Sequence, residues 1–164
     1  MTTPKKECGS CTMCCKFMGI PDLDPPKPKG KWCGHCKIGS GCNIYEARPQ
    51  SCRDFECLYL IMFEHGKGPD PSLRPDKSHC MLISDASGEN MVIYVDENRP
   101  DAWHKPDIQR IIKAMWSRKA DVCVTIGKRQ YFVSRRMELI EMEKISDTPD
   151  GMVSHYRMPP PLLR

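Results

Sequence analysis

Nine of the eleven cysteines in this 164-residue chain fall between Cys8 and Cys57. They open with Cys8-Gly9-Ser10-Cys11-Thr12-Met13-Cys14-Cys15, a C-x2-C-x2-C-C run, and continue through Cys33-Gly34-His35-Cys36, Cys42, Cys52 and Cys57. A soft metal ion needs several thiolates converging on one point, and a two-residue spacer lets the backbone turn so that both sulfurs of a C-x2-C reach it. The competing chemistry is a disulfide framework, which belongs to oxidising compartments. The chain begins Met1-Thr2-Thr3-Pro4-Lys5-Lys6-Glu7 and reaches Cys8 without an apolar stretch of the ~7 to 15 residues a secretory signal needs. The odd cysteine total, the adjacent Cys14-Cys15 pair and the repeated spacing also favour chelation in a reduced, cytoplasmic setting. The longest apolar run, Cys57 to Phe63, has seven residues, far below the ~20 of a membrane-spanning helix.

Neighbouring side chains point in different directions, so Cys14 and Cys15 are expected to face different places. That favours two metal centres, or one centre with a spare thiol, over a single four-cysteine site. The thiols suffice for zinc sites or for an iron-sulfur cluster, and the spacing does not choose between them. A bacterial ferredoxin run, C-x2-C-x2-C-x3-C-P, is not matched, because the fourth cysteine is adjacent to the third and no proline follows. A divalent ion held by four thiolates carries net negative charge, and the first sixty residues supply nine Lys and Arg against six acidic side chains to offset it. The excess is modest and not interleaved with aromatics, so nucleic acid is not the expected partner.

The stretch Gly41-Cys42-Asn43-Ile44-Tyr45-Glu46-Ala47-Arg48-Pro49-Gln50-Ser51-Cys52-Arg53-Asp54-Phe55-Glu56-Cys57, with the opening C-x2-C-x2-C-C, resembles the YkgJ-type cysteine-cluster family of zinc- or iron-chelating domains. Leu73-Arg74-Pro75-Asp76-Lys77 and Tyr94 to Trp103 also look like members with a short C-terminal extension. The resemblance implies Cys8, Cys11, Cys14, Cys15, Cys42, Cys52 and Cys57 as metal ligands, with Cys36 preferred to Cys33 as the eighth. A similar pattern occurs in flagellin lysine N-methylases, which use S-adenosylmethionine; those enzymes are much longer, and this chain has no G-x-G-x-x-G or P-loop.

Several other residues have readings of their own. Pro49 disfavours helix at Arg48 and turns the chain so that Cys42 and Cys52 approach each other. Arg48 and Arg53 are placed either to donate to metal-bound sulfur or to form surface ion pairs with neighbours such as Glu46. Tyr45 and Phe55 read as small-core packing. His35, inside the second C-x2-C, and His79, beside Cys80, are the histidines that can replace a thiolate. Cys80 and Cys123 read as buried structural residues.

The elements that must position this chemistry are short. Pro21 to Gly30 carries four prolines and reads as a loop, and Asp54 to Phe63 as a short helix ending near His65-Gly66, with a strand as the alternative. Met81 to Ile83 and Met91 to Val95 flank Ser87-Gly88-Glu89-Asn90 as a hairpin. Pro106 opens a helix whose apolar face is Ile108, Ile111, Ile112, Met115 and Trp116. Val122 to Ile126 and Tyr131 to Ser134 flank Gly127-Lys128-Arg129-Gln130 as a second hairpin. The expected fold class is α+β, a loop-rich cysteine cluster organised around metal (1–65), then a small hairpin-helix-hairpin unit (66–145) and a loose Pro-rich tail (146–164). Residues 137–145 match neither period.

Length excludes two large domains. Val, Ile, Leu and Phe make up only 30 of 164 residues, so the apolar core is thin and metal is expected to supply part of the folding energy. Net charge runs from −4 over residues 61–101 to +5 over 102–145, which points to an interaction surface for a protein partner or to contact between the two parts. The expected function is metal chelation, by zinc or an iron-sulfur centre. The alternatives are an iron-sulfur oxidoreductase or S-adenosylmethionine-dependent methyl-transfer enzyme, motivated by the spare thiol, and a metal buffer or chaperone. No Ser-His-Asp or paired-carboxylate arrangement is visible, so no catalytic residue is assigned.

Overall fold

The computed structural model of the chain describes residues 9–65, 68–85, 87–149 and 154–160. Cys8 lies outside them, as do 150–153 and the last four residues. The first third is built from short pieces. Helix α1 (Cys14–Phe17) carries the vicinal cysteines. Strands β1 (Cys36–Lys37) and β2 (Gly41–Cys42) pair antiparallel, with Cys36 opposite Cys42. Helices α2 (Gln50–Asp54) and α3 (Leu58–Ile61) follow, α3 running on into a 3-10 turn at Met62–His65. A four-residue helix, α4 (Pro75–Ser78), comes next, with Pro75 in its first turn.

The remainder is organised by one mixed sheet. Strands β3 (Cys80–Ser84) and β4 (Met91–Val95) form the expected first hairpin. Helix α5 (Pro106–Ser117) has Pro106 and Asp107 in its first turn, where a missing N–H and a negative charge are both favourable. It is followed by β5 (Val122–Ile126), β6 (Arg129–Val133) and β7 (Leu139–Glu141). The order is β3-β4-β5-β6-β7, antiparallel except for the parallel β4–β5 pair. A parallel neighbour cannot be reached by a tight turn, and α5 makes the crossover. The two expected hairpins are thus neighbours in a single sheet.

Alternation then sorts the side chains. Met91, Ile93 and Val95 of β4 and Val122 and Val124 of β5 are buried with Ile108 and Ile112 of α5 and with Trp103. Met81 of β3 turns the other way and is fully buried with Met13, Phe17, Cys57 and Leu60, with Ile83 and Tyr94 packed beside them. The Phe17 and Tyr94 rings lie 5.8 Å apart. The sheet is therefore covered by α5 on one face and by the cysteine-rich segment on the other, which makes three layers from a thin apolar inventory. Lys16 ties the same two layers, its ammonium 3.2 Å from the Asp96 carboxylate just after β4.

Two expectations are corrected at the C-terminal end. Residues 137–145 contain β7 and the start of β8 (Glu143–Asp147), and the segment read as a loose tail contains β9 (Ser154–Arg157), antiparallel to β8. All five β8 residues are exposed, so the strand has no buried face to write an alternating pattern. It is held instead by backbone pairing, an Arg157–Glu143 ion pair at 2.8 Å and a bond from the Tyr156 hydroxyl to the Lys128 carbonyl. No helix among the described residues is long and apolar enough to cross a membrane.

Candidate metal centre

Backbone bonds gather the thiols around α1. The Cys15 N–H donates to Thr12 O, and Cys15 O accepts from the Cys33 N–H at 3.0 Å; Cys36 N–H then donates back to Cys33 O at 3.0 Å. The buried Thr12 hydroxyl accepts from the Gly39 N–H at 3.1 Å and fixes the turn between β1 and β2. Arg48 is extended (φ −56°, ψ 142°), as its position before Pro49 requires, and the chain turns there into α2, which carries Cys52. Asp22 accepts from both the N–H and the hydroxyl of Ser51, pinning α2 to the proline-rich loop.

Electrostatics define the group that results. The Cys15 thiol is driven far above the ordinary range by its hydrogen bond with Cys14 and then by burial, while a bond to Cys36 pulls the other way. Burial and the neighbouring Cys15 push Cys36 up to about 11, and burial, Cys15 and Cys33 raise Cys52. Lys27 completes the group. It is buried, its Nζ donates to the carbonyls of Met18, Pro28 and Lys16, and burial lowers its pKa against the opposing pull of Cys33, Cys15, Cys52 and Cys14. A buried cation whose charge is felt by four thiols is the offset that a thiolate metal centre needs.

Cys11 and Cys57 form a second pair on the side facing the sheet. Burial raises Cys11, opposed by the amides of Met13 and Asp76 and reinforced by the charges of Asp76 and Cys57. Cys57, at the N-cap of α3, is raised by burial and lowered by the amides of Leu60 and Tyr59. Arg74 fixes the wall beside Cys11 by a two-pronged bond to Asp76, at 2.6 and 2.8 Å, and a longer one to Ser10. Cys14 belongs to both groups: it packs on the apolar cluster around Cys57 and hydrogen-bonds Cys15. The expectation that Cys14 and Cys15 face different places is therefore corrected, since both sit on the opening turn of α1 and their sulfurs stay in reach of each other.

Cys11, Cys14, Cys15, Cys33, Cys42 and Cys52 all line one cavity of about 470 Å³. Of the expected ligands, Cys36 stands beside Cys15, Cys57 beside Cys11, and Cys8 is outside the described residues. Cys33 and Cys36 both join the Cys15 group, so the preference for one over the other has no structural basis. All ten described cysteines are free thiols. Among the described residues no three His, Cys, Asp or Glu side chains already stand in a metal-holding arrangement. The donor set suits a soft ion in chemistry and charge, and binding one requires the thiols to lose protons and draw together.

Other expected residues have different work. Arg53 donates to the carbonyls of Arg48 and Glu46, and Arg48 donates to Tyr45 O, so both brace their own loop rather than a sulfur or a carboxylate. Tyr45 is half exposed and carries the Arg48 guanidinium 3.7 Å above its ring, which corrects the core reading; Phe55 does pack on the apolar cluster. His35 is half-buried and its carbonyl accepts from the Asn43 N–H. His79 lies 3.7 Å from Asp96. Cys80 is fully buried in the main core, and Cys123 is half-buried against Met142 Sδ at 3.8 Å. Lys27 and Thr12 were not singled out by sequence, whose only signal was a lysine and a threonine inside cysteine-rich loops.

Fold and site together define an α+β protein with a thiol-lined cavity on one face of its sheet. Compared with protein-family models, curated proteins and solved structures, the chain matches none.

Proposed function

We propose that this chain is a metal-binding protein that holds zinc or an iron-sulfur centre through its N-terminal thiols in a reducing, cytoplasmic setting. The observation that carries the reading is the gathering of Cys14, Cys15, Cys33 and Cys52 around a single buried cation, Lys27, with Cys36 beside Cys15. These thiols sit on four separate short elements and loops, and that arrangement costs conformational entropy with little apolar burial to offset it. A bound metal supplies what the local core lacks, on the order of 10 to 16 kcal/mol for structural zinc in finger peptides. The similarity of the cysteine pattern to the YkgJ-type family supports the same reading.

The residues divide the work. The Cys15 group supplies soft donors, the Cys11–Cys57 pair with Cys14 offers a second set toward the sheet, and Lys27 balances the charge. Substituting Cys15→Ser or Cys52→Ser is expected to lower the metal content per chain, and Cys123→Ser to leave it unchanged, measured by elemental analysis. Full retention of metal by both ligand variants contradicts the assignment.

A further inference from the structure

With its thiols apart, the cavity is larger than a single ion. Its volume of about 470 Å³ falls within the roughly 300 to 1,000 Å³ typical of small-molecule sites, whereas a thiolate-bound ion fills only the space between sulfurs about 2.3 Å from it. Beyond the cysteines its lining is apolar, with Met18, Ile20, Leu23, Ile44 and Phe55 among the contributors. Among the described residues a single charged side chain, Arg48, lines it, and neither Asp nor Glu does.

Arg48 is arranged to meet a ligand. Its Nε bonds to Tyr45 O at 2.8 Å and its guanidinium carbon lies 3.7 Å from the Tyr45 ring centroid, which fixes the group; its Nη atoms have no hydrogen-bond partner among the described residues. A planar guanidinium held this way presents paired N–H donors to a carboxylate. Thr12, Ser40 and Ser51 are the other polar residues of the lining. Lys27 offsets the negative charge that metal-bound thiolates would otherwise set against an anion.

We propose that this cavity binds a small organic acid, an apolar chain or ring ended by one carboxylate, with the apolar body against the Ile44 and Leu23 side and the carboxylate on Arg48. This goes beyond metal binding and does not depend on which metal is held. The test is calorimetric titration of the protein as purified without oxygen, its metal content measured in parallel, with octanoate and with 1-octanol, which share a chain and differ in the head group. Octanoate is expected to bind at least tenfold tighter, the size of one charge-assisted hydrogen bond. Arg48→Gln should abolish that preference and leave octanol binding unchanged. Ile44→Trp, which fills the cavity, should weaken both, with near-ultraviolet circular dichroism confirming that each variant is folded. Equal binding of the two ligands, no binding of either, or a preference that survives Arg48→Gln because the carboxylate sits on the metal would each overturn the proposal. The parallel metal measurement separates these outcomes from failure of the metal reading itself.

Discussion

Lys27 lies in a segment with four prolines and was one of nine basic residues near the cysteines; position in sequence gave no reason to prefer it. The fold buries it and caps its ammonium with three carbonyls while four thiols lie in its field. If it balances thiolate charge, Lys27→Met removes a charge-assisted contact and metal affinity falls roughly tenfold or more, read by competition with a chelator. The same electrostatics set a pH dependence for binding. Raised thiol pKa values mean that protons compete for the donors, so metal retention weakens as pH falls. Cys80 behaves differently because it is buried with no such neighbours. Burial pushes its thiol from the ordinary 9.0 to about 12. A group raised in the folded state contributes stability that is fully present below pH 9.0 and is lost as pH rises through about 12. Cys80→Ala is therefore expected to flatten the alkaline loss of stability, and native Cys80 to resist iodoacetamide at pH 8 in the folded chain but to react once the chain is unfolded in urea. Alkylation of Cys80 at the same rate in the folded and the unfolded chain would contradict its burial.

Helix α5 was legible because its burial is written at a helical period: Ile108 and Ile112 are fully buried one turn apart, with Ile111, Met115 and Trp116 packed beside them. Ile112→Ala is expected to cost about 2 to 5 kcal/mol in urea unfolding, and Arg110→Ala, on the exposed face, within about 0.5 kcal/mol. Both hairpins were legible from alternation and turn residues, with Gly127 at φ 59° in the second turn. The parallel register of β4 on β5 was not, since pairing between distant strands leaves no local signal. Strand β8 was invisible for a different reason: it is exposed on both faces, and binary patterning records only burial. At the site, cysteine spacing pointed to thiols that the fold gathers on one face of the sheet but not to their partition, because Cys11 joins Cys57 through the packing of α3 on Met81, a tertiary contact that spacing cannot express.

At the scale of the molecule, the sheet carries two dissimilar layers. The α5 layer rests on a contiguous apolar core, while the cysteine layer brings four buried residues, Met13, Phe17, Cys57 and Leu60, to its contact with Met81, with partly buried neighbours such as Phe55 and Tyr59 and the Lys16–Asp96 pair. Local stability follows the density of buried apolar contacts. Stripping the metal is therefore expected to raise amide exchange over residues 9–57 and to leave β4, β5 and α5 protected; uniform loss of protection would mean that the layers unfold as one. The central claim, that thiols hold a metal, has a more direct test. Protein purified without oxygen is to be assayed for zinc, iron and sulfide and its visible spectrum recorded. The account predicts at least one equivalent of metal per chain, either colourless zinc or iron with sulfide and a broad absorption near about 400 nm. A folded chain with free thiols and no bound metal would contradict it.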